Sequence, residues 1–326
     1  MSAAIDRGEI ARLTSELAEL ADPPTPEALL RLLRLLYRIG RADLPLGRLF
    51  EGHVDALQIV ARYGTGAQAN AAAAIARAGG AFGVWNADLP GDPLRLADGR
   101  LVGGKAFASG AGVLSHALVS IDADGRRQLL LLDLTALPPA IDTEWWRVTG
   151  MQRSETHLVR WDAPFPAEAR IGAPGDYVGE PWFSGGAIRF AAVQAGGIAA
   201  IVDQVRAHLL ESGRAEDPHQ AARLAELYLC AQAAADAVAA AARGWRVEES
   251  EGTIARTAAA RVAVYQAGER ALTLAQAAIG VQAMFLDHRL SATLSDLNVY
   301  LRQPAPDAQR ARTGAAVAAG LLSPSL

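Results

Sequence analysis

The chain has 326 residues, and because a single hydrophobic core stops growing at roughly 250 to 300 residues, this length predicts two or three cores. Charged residues make up 20% of the sequence and the formal net charge is −4, so no broad basic surface for nucleic acid is expected. The single cysteine, Cys230, can form neither an internal disulfide nor a cysteine metal cluster. Composition therefore argues against a nucleic-acid-binding protein.

The most apolar stretches, residues 190–202 and 233–242, are shorter than the roughly 20 residues that a helix needs to cross a bilayer. Residues 1–19 alternate charged and apolar side chains and lack the uninterrupted apolar core of a signal peptide. We therefore expect a soluble, cytoplasmic protein that does not contact a membrane.

Three or four helices are predicted for residues 7–79. The clearest has Thr25 as its N-cap and ends at Gly40, with leucine and isoleucine recurring at helical spacing between them. Two more helices are expected at residues 51–63 and 67–78. Residues 1–80 are thus predicted to form an amino-terminal helical domain.

Short runs bounded by Gly, Pro and Asp clusters predict strands and turns in the middle of the chain. These runs lie at residues 82–86, 101–107, 117–121 and 128–134. Gly125 stands where a hairpin turn needs a positive φ angle, so residues 117–134 are predicted to form a β-hairpin. Residues 81–176 are expected to form a central β-domain.

Four long helical segments with short connections follow and predict a four-helix bundle. They are expected at residues 181–212, 217–243, 251–279 and 290–302. Because Pro304 and Pro306 cannot continue a helix, the chain is predicted to leave the bundle there, before a small-residue tail at 314–326. The carboxy-terminal domain is residues 177–326, and the fold class is α+β.

Histidine, cysteine and carboxylate residues show no local spacing that assembles a metal site, and we expect none. Tryptophan is concentrated in and near the middle domain, where planar rings could wall a flat aromatic cofactor. These residues are Trp85, Trp145, Trp146, Trp161 and Trp182. Core packing is the better explanation for any single ring, so the residue patterns predict only a crevice that fits a flat ligand.

Several local strings, in a fixed order along the chain, resemble those of the acyl-CoA dehydrogenase superfamily of flavoproteins. The best match is GGKAFASG at residues 103–110, which resembles the family's strand and turn beside the flavin ring. The other strings are FGVWN at 82–86, GMQRSETH at 150–157, GGAIR at 185–189 and DLNVYLR at 296–302. The resemblance covers nearly the whole chain after residue 80 and implies the family's α+β fold, with a shortened amino-terminal helical domain.

The resemblance implies that the protein binds FAD, with Phe107 and Ser109 beside the flavin ring. The other cofactor contacts that it implies are Phe82, Trp85, Asn86 and Gly280. In the family, FAD lies between β-domain and bundle and its adenine end reaches a neighbouring subunit, which implies a homodimer or homotetramer. The implied reaction removes a proton and a hydride from adjacent carbons of an acyl thioester.

The sequence departs from the family where the catalytic base is expected. The two positions at which family members carry the catalytic glutamate are Pro304 and Ile188 here, and neither side chain can accept a proton. Glu180 and Glu155 lie near the matched strings and are the candidate bases. The loop that lines the flavin also differs, and Arg214 is the nearest counterpart of the arginine that reaches the partner's FAD.

We favour an FAD-dependent, acyl-CoA dehydrogenase-like oxidoreductase that acts on an acyl thioester or a related small molecule. A flavin-dependent monooxygenase or oxidase with the same fold is a second hypothesis, because it needs no base to remove a thioester α-proton. A third is a non-catalytic paralogue that serves as a binding or assembly subunit, which the altered flavin loop favours. Both enzymes would be yellow, whereas the paralogue would be colourless or hold a flavin that no thioester reduces.

Overall fold

The computed structural model describes residues 5–302 and 305–324. The helices in this part of the chain are α1 (Arg7–Thr14), α2 (Pro26–Ala42), α3 (Leu44–Tyr63), α4 (Gly66–Arg77), α5 (Trp182–Gly185), α6 (Ile188–Glu211), α7 (Pro218–Arg243), α8 (Ser250–Ile279), α9 (Arg289–Tyr300) and α10 (Pro306–Ala318). The strands are β1 (Phe82–Trp85), β2 (Arg95–Ala97), β3 (Arg100–Ala108), β4 (His116–Ala123), β5 (Arg126–Asp133), β6 (Ala140–Asp142), β7 (His157–Pro164) and β8 (Arg170–Ile171). Helices, strands and helices follow in the predicted order, so the α+β class is confirmed.

Contacts group the chain into two compact units. Unit 1 comprises Met1–Pro23, Arg48–Arg147 and Gln152–Gly179. Unit 2 comprises Pro24–Gly47, Val148–Met151 and Glu180–Leu326. This grouping differs from the three predicted segments, because α2 joins the later helices whereas α4 joins the strands. The predicted domain boundaries at residues 80 and 176 stay a prediction.

Unit 1 contains two four-stranded sheets, with strand orders β1-β4-β5-β8 and β2-β3-β7-β6. Strand β1 pairs with β4 in parallel, and the other strand pairs are antiparallel. The predicted hairpin at residues 117–134 is β4 and β5, with His116 opposite Asp133 and with Gly125 at φ +77° in the turn. Strand β3, which contains residues 103–108 of the string GGKAFASG, is central in the second sheet.

Helix α3 covers one face of the first sheet and forms the core of unit 1. Apolar side chains from the sheet and from α3 share a buried cluster. The members include Phe82, Leu118, Leu129 and Ile171 from the strands and Leu57 and Val60 from α3. The helix begins at Leu44 rather than at the predicted residue 51. It tolerates Pro45 because the first turn of a helix needs no N–H donor there.

Unit 2 is built from α2 and the later helices, and the predicted bundle segments are all helical. Thr25 caps α2 as predicted, since its Oγ1 accepts a hydrogen bond from the Ala28 N–H at 3.2 Å. The single helix expected at residues 181–212 is divided into α5 and α6, which flank Gly186. Glycine is a poor helix former, and two glycines stand together at this break.

The prediction that the chain leaves the bundle at Pro306 is wrong, because a further helix starts there and packs against α8. Pro306 starts α10, because proline at the first position of a helix lacks only an N–H that has no partner there. Ala316 of this helix is buried. Pro304 lies outside the described residues, so its part of the prediction is not addressed.

Two helical stretches are long and apolar enough to cross a membrane when only length and composition are considered. In the stretch Trp182–Glu211, 78% of the most apolar window is buried inside the protein, as in a core helix, whereas for Pro218–Arg243 the share is 28%. Length and composition alone do not distinguish a core helix from a membrane-spanning helix. The cytoplasmic location therefore stays a prediction.

Candidate functional site

A bulge near the end of β3 turns Phe107 out of the sheet. The register with β7 shifts between Lys105 and Ala108, and Phe107 adopts φ +54°, a left-handed conformation that is uncommon for a bulky residue. Its side chain is 56% exposed, although the strand on either side is buried. The backbone thus holds a large aromatic ring open to solvent, an arrangement that is common at ligand sites.

Two tryptophans fix the orientation of this ring. Trp145 and Trp146 stack on each other with centroids 5.8 Å apart, and Phe107 meets both rings edge-on at 4.9 and 6.3 Å. Trp145 also packs against buried Leu89 and Leu158. The cluster therefore exposes an aromatic surface to solvent and packs against buried apolar side chains on its other side.

A chain of hydroxyl groups runs beside Phe107. Thr156 donates a hydrogen bond from Oγ1 to Ser109 Oγ at 3.0 Å, and Ser154 Oγ lies 2.8 Å from Thr156 Oγ1. All three residues are buried. Because Ser109 is the acceptor in this chain, its own hydroxyl proton is left to donate, and the described residues show no acceptor for it.

Glu155 and His157 form a pair next to these hydroxyl groups. The carboxylate Oε2 of Glu155 lies 3.0 Å from His157 Nε2, with 37% of the Glu155 side chain exposed and 7% of that of His157. In the described part of the chain, the buried Nδ1 of His157 has no hydrogen-bond partner. The sequence patterns indicated Glu155 but missed His157. Glu155 precedes β7 and has φ +44°, so strand periodicity does not pair the two side chains, and no local pattern in the sequence indicated His157.

The other predicted cofactor contacts in unit 1 have structural partners. Phe82 is fully buried and stacks on His116 with centroids 4.9 Å apart. Trp85 is 1% exposed. Its Nε1 donates a hydrogen bond to the backbone carbonyl of Ser109 at 2.9 Å and so helps to hold the backbone of that residue in place. Neither ring lies on an exposed surface. Their assignment to the cofactor stays a prediction.

Asn86 is the centre of a polar network. Its Oδ1 accepts from Ser120 Oγ at 2.8 Å and from Arg127 Nη1. The adjacent Lys105 is fully buried, and its Nζ donates to Asp88 at 2.6 Å and to Ser120 at 3.0 Å. Burial lowers the pKa of Lys105, and the Asp88 carboxylate opposes that shift. The amide oxygen of Asn86 is thus already used within the protein.

In unit 2, Glu180 is exposed and acts as a helix cap. Its carboxylate accepts hydrogen bonds from Ser184 N at 2.9 Å and from Ser184 Oγ at 2.5 Å at the start of α5. Gly280, after α8, has φ +79° and ψ −153°, a conformation that glycine alone adopts readily, and a Cβ there would meet nothing within 4 Å. The catalytic role of Glu180 and the cofactor role of Gly280 stay predictions.

Two of the strings matched to the family meet inside unit 2. Met151 donates its backbone N–H to Asp296 Oδ1 at 2.5 Å, and a Cβ on Gly150 would lie 2.1 Å from the Ser295 carbonyl oxygen. Glycine is therefore needed at position 150 for this approach. Ile188, at one of the two base positions, is buried, whereas Pro304 at the other lies outside the described residues.

Two further points concern metal binding and the expected FAD-binding arginine. In residues 5–302 and 305–324, no three His, Cys, Asp or Glu side chains come together as a metal site would require. Arg214, the expected counterpart of the FAD-binding arginine, donates to the Ala278 carbonyl at 3.2 Å. The candidate site is therefore the aromatic cluster of Phe107 together with the hydroxyl group of Ser109, two residues further along the chain.

The donor set of this cluster fits a flavin better than a metal. A planar, hydrogen-bonding ring system needs aromatic surface and neutral donors, which Phe107, the two tryptophans and the Ser109 hydroxyl supply. Glu155 and His157 add a group that can accept or release a proton beside that surface. Chemically, the cluster can hold a flat heterocycle and move a proton.

No protein-family model and no curated protein matches the sequence of this chain. Solved structures do match its fold. Dibenzothiophene monooxygenase TdsC from Paenibacillus sp. A11-2, in complex with FMN and indole, is 17% identical with a TM-score of 0.81, and the match covers 96% of this chain and 90% of TdsC. KijD3, in complex with FMN and a dTDP-linked amino sugar, is 20% identical with a TM-score of 0.73, covering 98% of this chain and 88% of KijD3.

Butyryl-CoA dehydrogenase from Megasphaera elsdenii is 16% identical with a TM-score of 0.72, and the match covers 98% of this chain and 100% of the dehydrogenase. Identities this low carry no information about substrate. Agreement over almost the full length of each chain nevertheless shows the fold. The protein thus has the fold of the acyl-CoA dehydrogenase superfamily of flavoproteins.

Proposed function

We propose that the protein is an FAD-dependent oxidoreductase that acts on an acyl thioester or a related small molecule. The observation that carries the proposal is Phe107, which a bulge holds exposed and left-handed against two tryptophans, beside a serine hydroxyl with an uncommitted proton. Keeping a bulky residue in this conformation costs roughly 1 to 3 kcal/mol, which favours a functional reason for it.

Each residue of the cluster has a distinct task in this proposal. Phe107 and the tryptophans would hold a flavin ring by its face or edge, and Ser109 would donate a hydrogen bond to one of its heteroatoms. When bound, a flavin supplies the two-electron chemistry that side chains lack. The aromatic cluster would also exclude water from the reacting atoms.

Glu155 and His157 are the proposed proton-transfer group. The half-exposed carboxylate would take a proton from the substrate, and the 3.0 Å contact to His157 Nε2 would orient it. This pair would replace the glutamates that family members carry at positions 304 and 188. Glu180 is the weaker candidate, because its carboxylate already caps α5.

Oxygen chemistry is the second candidate function. Ile188 is buried and has no ionisable group, and a monooxygenase needs no base at that position. The similarity to a dibenzothiophene monooxygenase supports this alternative at the level of fold. A flavin that no thioester reduces, but that turns over with O2 once reduced, would favour it.

The flavin site is tested by the absorbance spectrum of the purified protein and by extraction and chromatography of its cofactor. We expect stoichiometric FAD in the wild type and its loss from the double variant Phe107→Ala, Ser109→Ala. Leu96→Ala is the matched control, because Leu96 is exposed in the same sheet outside the cluster. A folded double variant that keeps its FAD would refute the assignment, and extracted FMN would correct the cofactor.

The base is tested by anaerobic titration with acyl-CoA thioesters, following bleaching of the flavin band. Glu155→Gln should slow bleaching by roughly 100-fold or more, the usual contribution of a general base, and His157→Gln should shift its pH profile. Glu144→Gln, which alters an exposed carboxylate paired with Arg147, should have no effect. Bleaching of the Glu155→Gln variant at the wild-type rate would exclude this base.

Assembly and location complete the proposal. We propose a cytoplasmic location. We also propose a homodimer or homotetramer, as the family resemblance implies, because adenine binding by a neighbouring subunit couples cofactor retention to assembly. Light scattering of the FAD-loaded protein measures the mass directly, and a monomeric mass would contradict this part.

A further inference from the structure

A cleft in unit 2 opens between α6, α8 and α10. It holds about 340 Å3 of empty space, including the part that is continuous with solvent. Residues that line it include Phe190, Gln194, Arg261, Tyr265, Gln309 and Arg310. None of these six residues was assigned to the flavin or to the base, so the cleft needs its own explanation.

Two guanidinium groups in the cleft wall are held against aromatic rings. Arg261 Cζ lies 4.8 Å from the centroid of the Phe190 ring, and Arg310 Cζ lies 5.0 Å from that of Tyr265. Stacking on a ring fixes the plane of a guanidinium and the direction of the N–H groups around its edge. The two cations are therefore oriented before any ligand binds.

The local charge favours an anion. Burial, with a smaller contribution from the neighbouring cation Arg312, lowers the pKa of Arg261 to about 10. Asp307 pairs with Arg310 at 2.7 Å, but 91% of that carboxylate side chain is exposed. Helix α10 also starts at the cleft without a side-chain cap, so its positive end adds to the potential.

We infer that this cleft binds the oxyanion head group of a small ligand, a carboxylate or a phosphate, through Arg261 and Arg310. Both anions match the planar fork of a guanidinium, which binds them with charge-assisted hydrogen bonds. Phe190 and Tyr265 would contact the apolar part next to the head group. The inference does not rest on the proposed flavin function, because it uses only residues of the unit 2 helices.

The test is calorimetric titration of the purified full-length protein with inorganic phosphate and, separately, with acetate, at constant ionic strength set with sodium chloride. We expect saturable binding of at least one anion to one site. Arg261→Gln should weaken it roughly tenfold or more, because a charge-assisted hydrogen bond is lost. Arg270→Gln in the same helix is the matched control, since Arg270 pairs with Glu226 on the exposed surface.

Arg310→Gln is the second variant, because Arg310 is exposed and its replacement removes no buried side chain. Circular dichroism verifies the fold of each variant. Saturation by phosphate alone assigns a phosphate ligand, and saturation by acetate alone assigns a carboxylate. The inference is overturned if neither anion binds above the chloride background, or if folded Arg261→Gln and Arg310→Gln both bind with wild-type affinity.

Discussion

His53 is a fully buried histidine whose two ring nitrogens are both satisfied in the neutral state. Nδ1 accepts a hydrogen bond from the Phe82 N–H at 3.1 Å, and Nε2 lies 3.0 Å from Thr14 Oγ1. The Thr14 hydroxyl donates to the Ile10 carbonyl at 2.7 Å, so its oxygen accepts from Nε2–H. A second ring proton would face the Phe82 N–H. Burial accordingly lowers the pKa of His53 to about 4.

This shift makes stability depend on pH. Below pH 6.5, the ordinary pKa, the unfolded state binds a proton that the folded state binds only near pH 4, so stability is lost as pH falls across that window. The free energy of unfolding should drop by roughly 3 kcal/mol, at 1.36 kcal/mol per pKa unit. Urea unfolding at both ends of the window measures the drop.

His53→Gln should remove most of that dependence, whereas His219→Gln, at an exposed position, should leave it unchanged. An equal loss of stability in the wild type and in His53→Gln would show that other groups cause the acid sensitivity.

For single residues, the sequence indicated which side chains belong to the candidate site, but it did not indicate their burial or their contacts. Phe107 and Ser109 stand next to each other as the matched string implies, and Glu155 lies with them. His157 was missed, because only the pairing of β3 with β7 reveals that it is buried beside that string. The orientation of Trp85 towards the Ser109 backbone is equally a product of sheet geometry.

Among the helices of unit 2, α2 and α6 approach each other through a glycine. A Cβ on Gly196 would lie 2.1 Å from the Tyr37 carbonyl oxygen and 2.7 Å from the Arg41 nitrogen, distances that real Cβ contacts do not show. Backbone meets backbone here, so no flexible side chain can move aside. Close packing of the two helices therefore depends on the missing methyl group.

Gly196→Ala should destabilise the protein by roughly 1 to 3 kcal/mol, the usual penalty for overpacking. Gly314→Ala is its matched control in α10, where a Cβ meets nothing within 4 Å, and it should stabilise by roughly 0.5 to 1 kcal/mol through helix propensity. Urea unfolding followed by far-ultraviolet circular dichroism measures both changes. A neutral Gly196→Ala would mean that the helices separate without cost.

Hydrophobic periodicity and the Gly, Pro and Asp residues between elements predicted where the helices and strands lie. The first and last residues of the elements were predicted less accurately. Thr25 and Gly125 mark an N-cap and a turn through their own local chemistry, and both were predicted. The start of α10 was missed, because Pro306 was treated as a terminator although the first helical turn accepts proline. The start of α3 was predicted at residue 51, whereas the helix begins at Leu44. Apolar contacts with neighbouring elements then decide that these turns are helical.

For the molecule as a whole, the order of helices, strands and helices was evident from the sequence, and so was the resemblance to a flavoprotein family. Both depend on local periodicity and short strings, which can be recognised in the sequence without a structure. The grouping of α2 with the later helices was not predictable in that way, because it depends on which apolar faces meet. The same holds for the cleft of Arg261 and Arg310, whose residues lie far apart in sequence.

The sequence by itself determined the α+β class, the element order and the string that contains Phe107 and Ser109, because hydrophobic period, caps and turn residues act over a few positions. Only the tertiary structure decided that Phe107 is exposed, that His157 pairs with Glu155, and that two arginines share a cleft with aromatic rings. Exposure, ion pairing and the local potential depend on distances between residues that are remote along the chain. Those distances are set by the packing of the elements and not by any local sequence pattern.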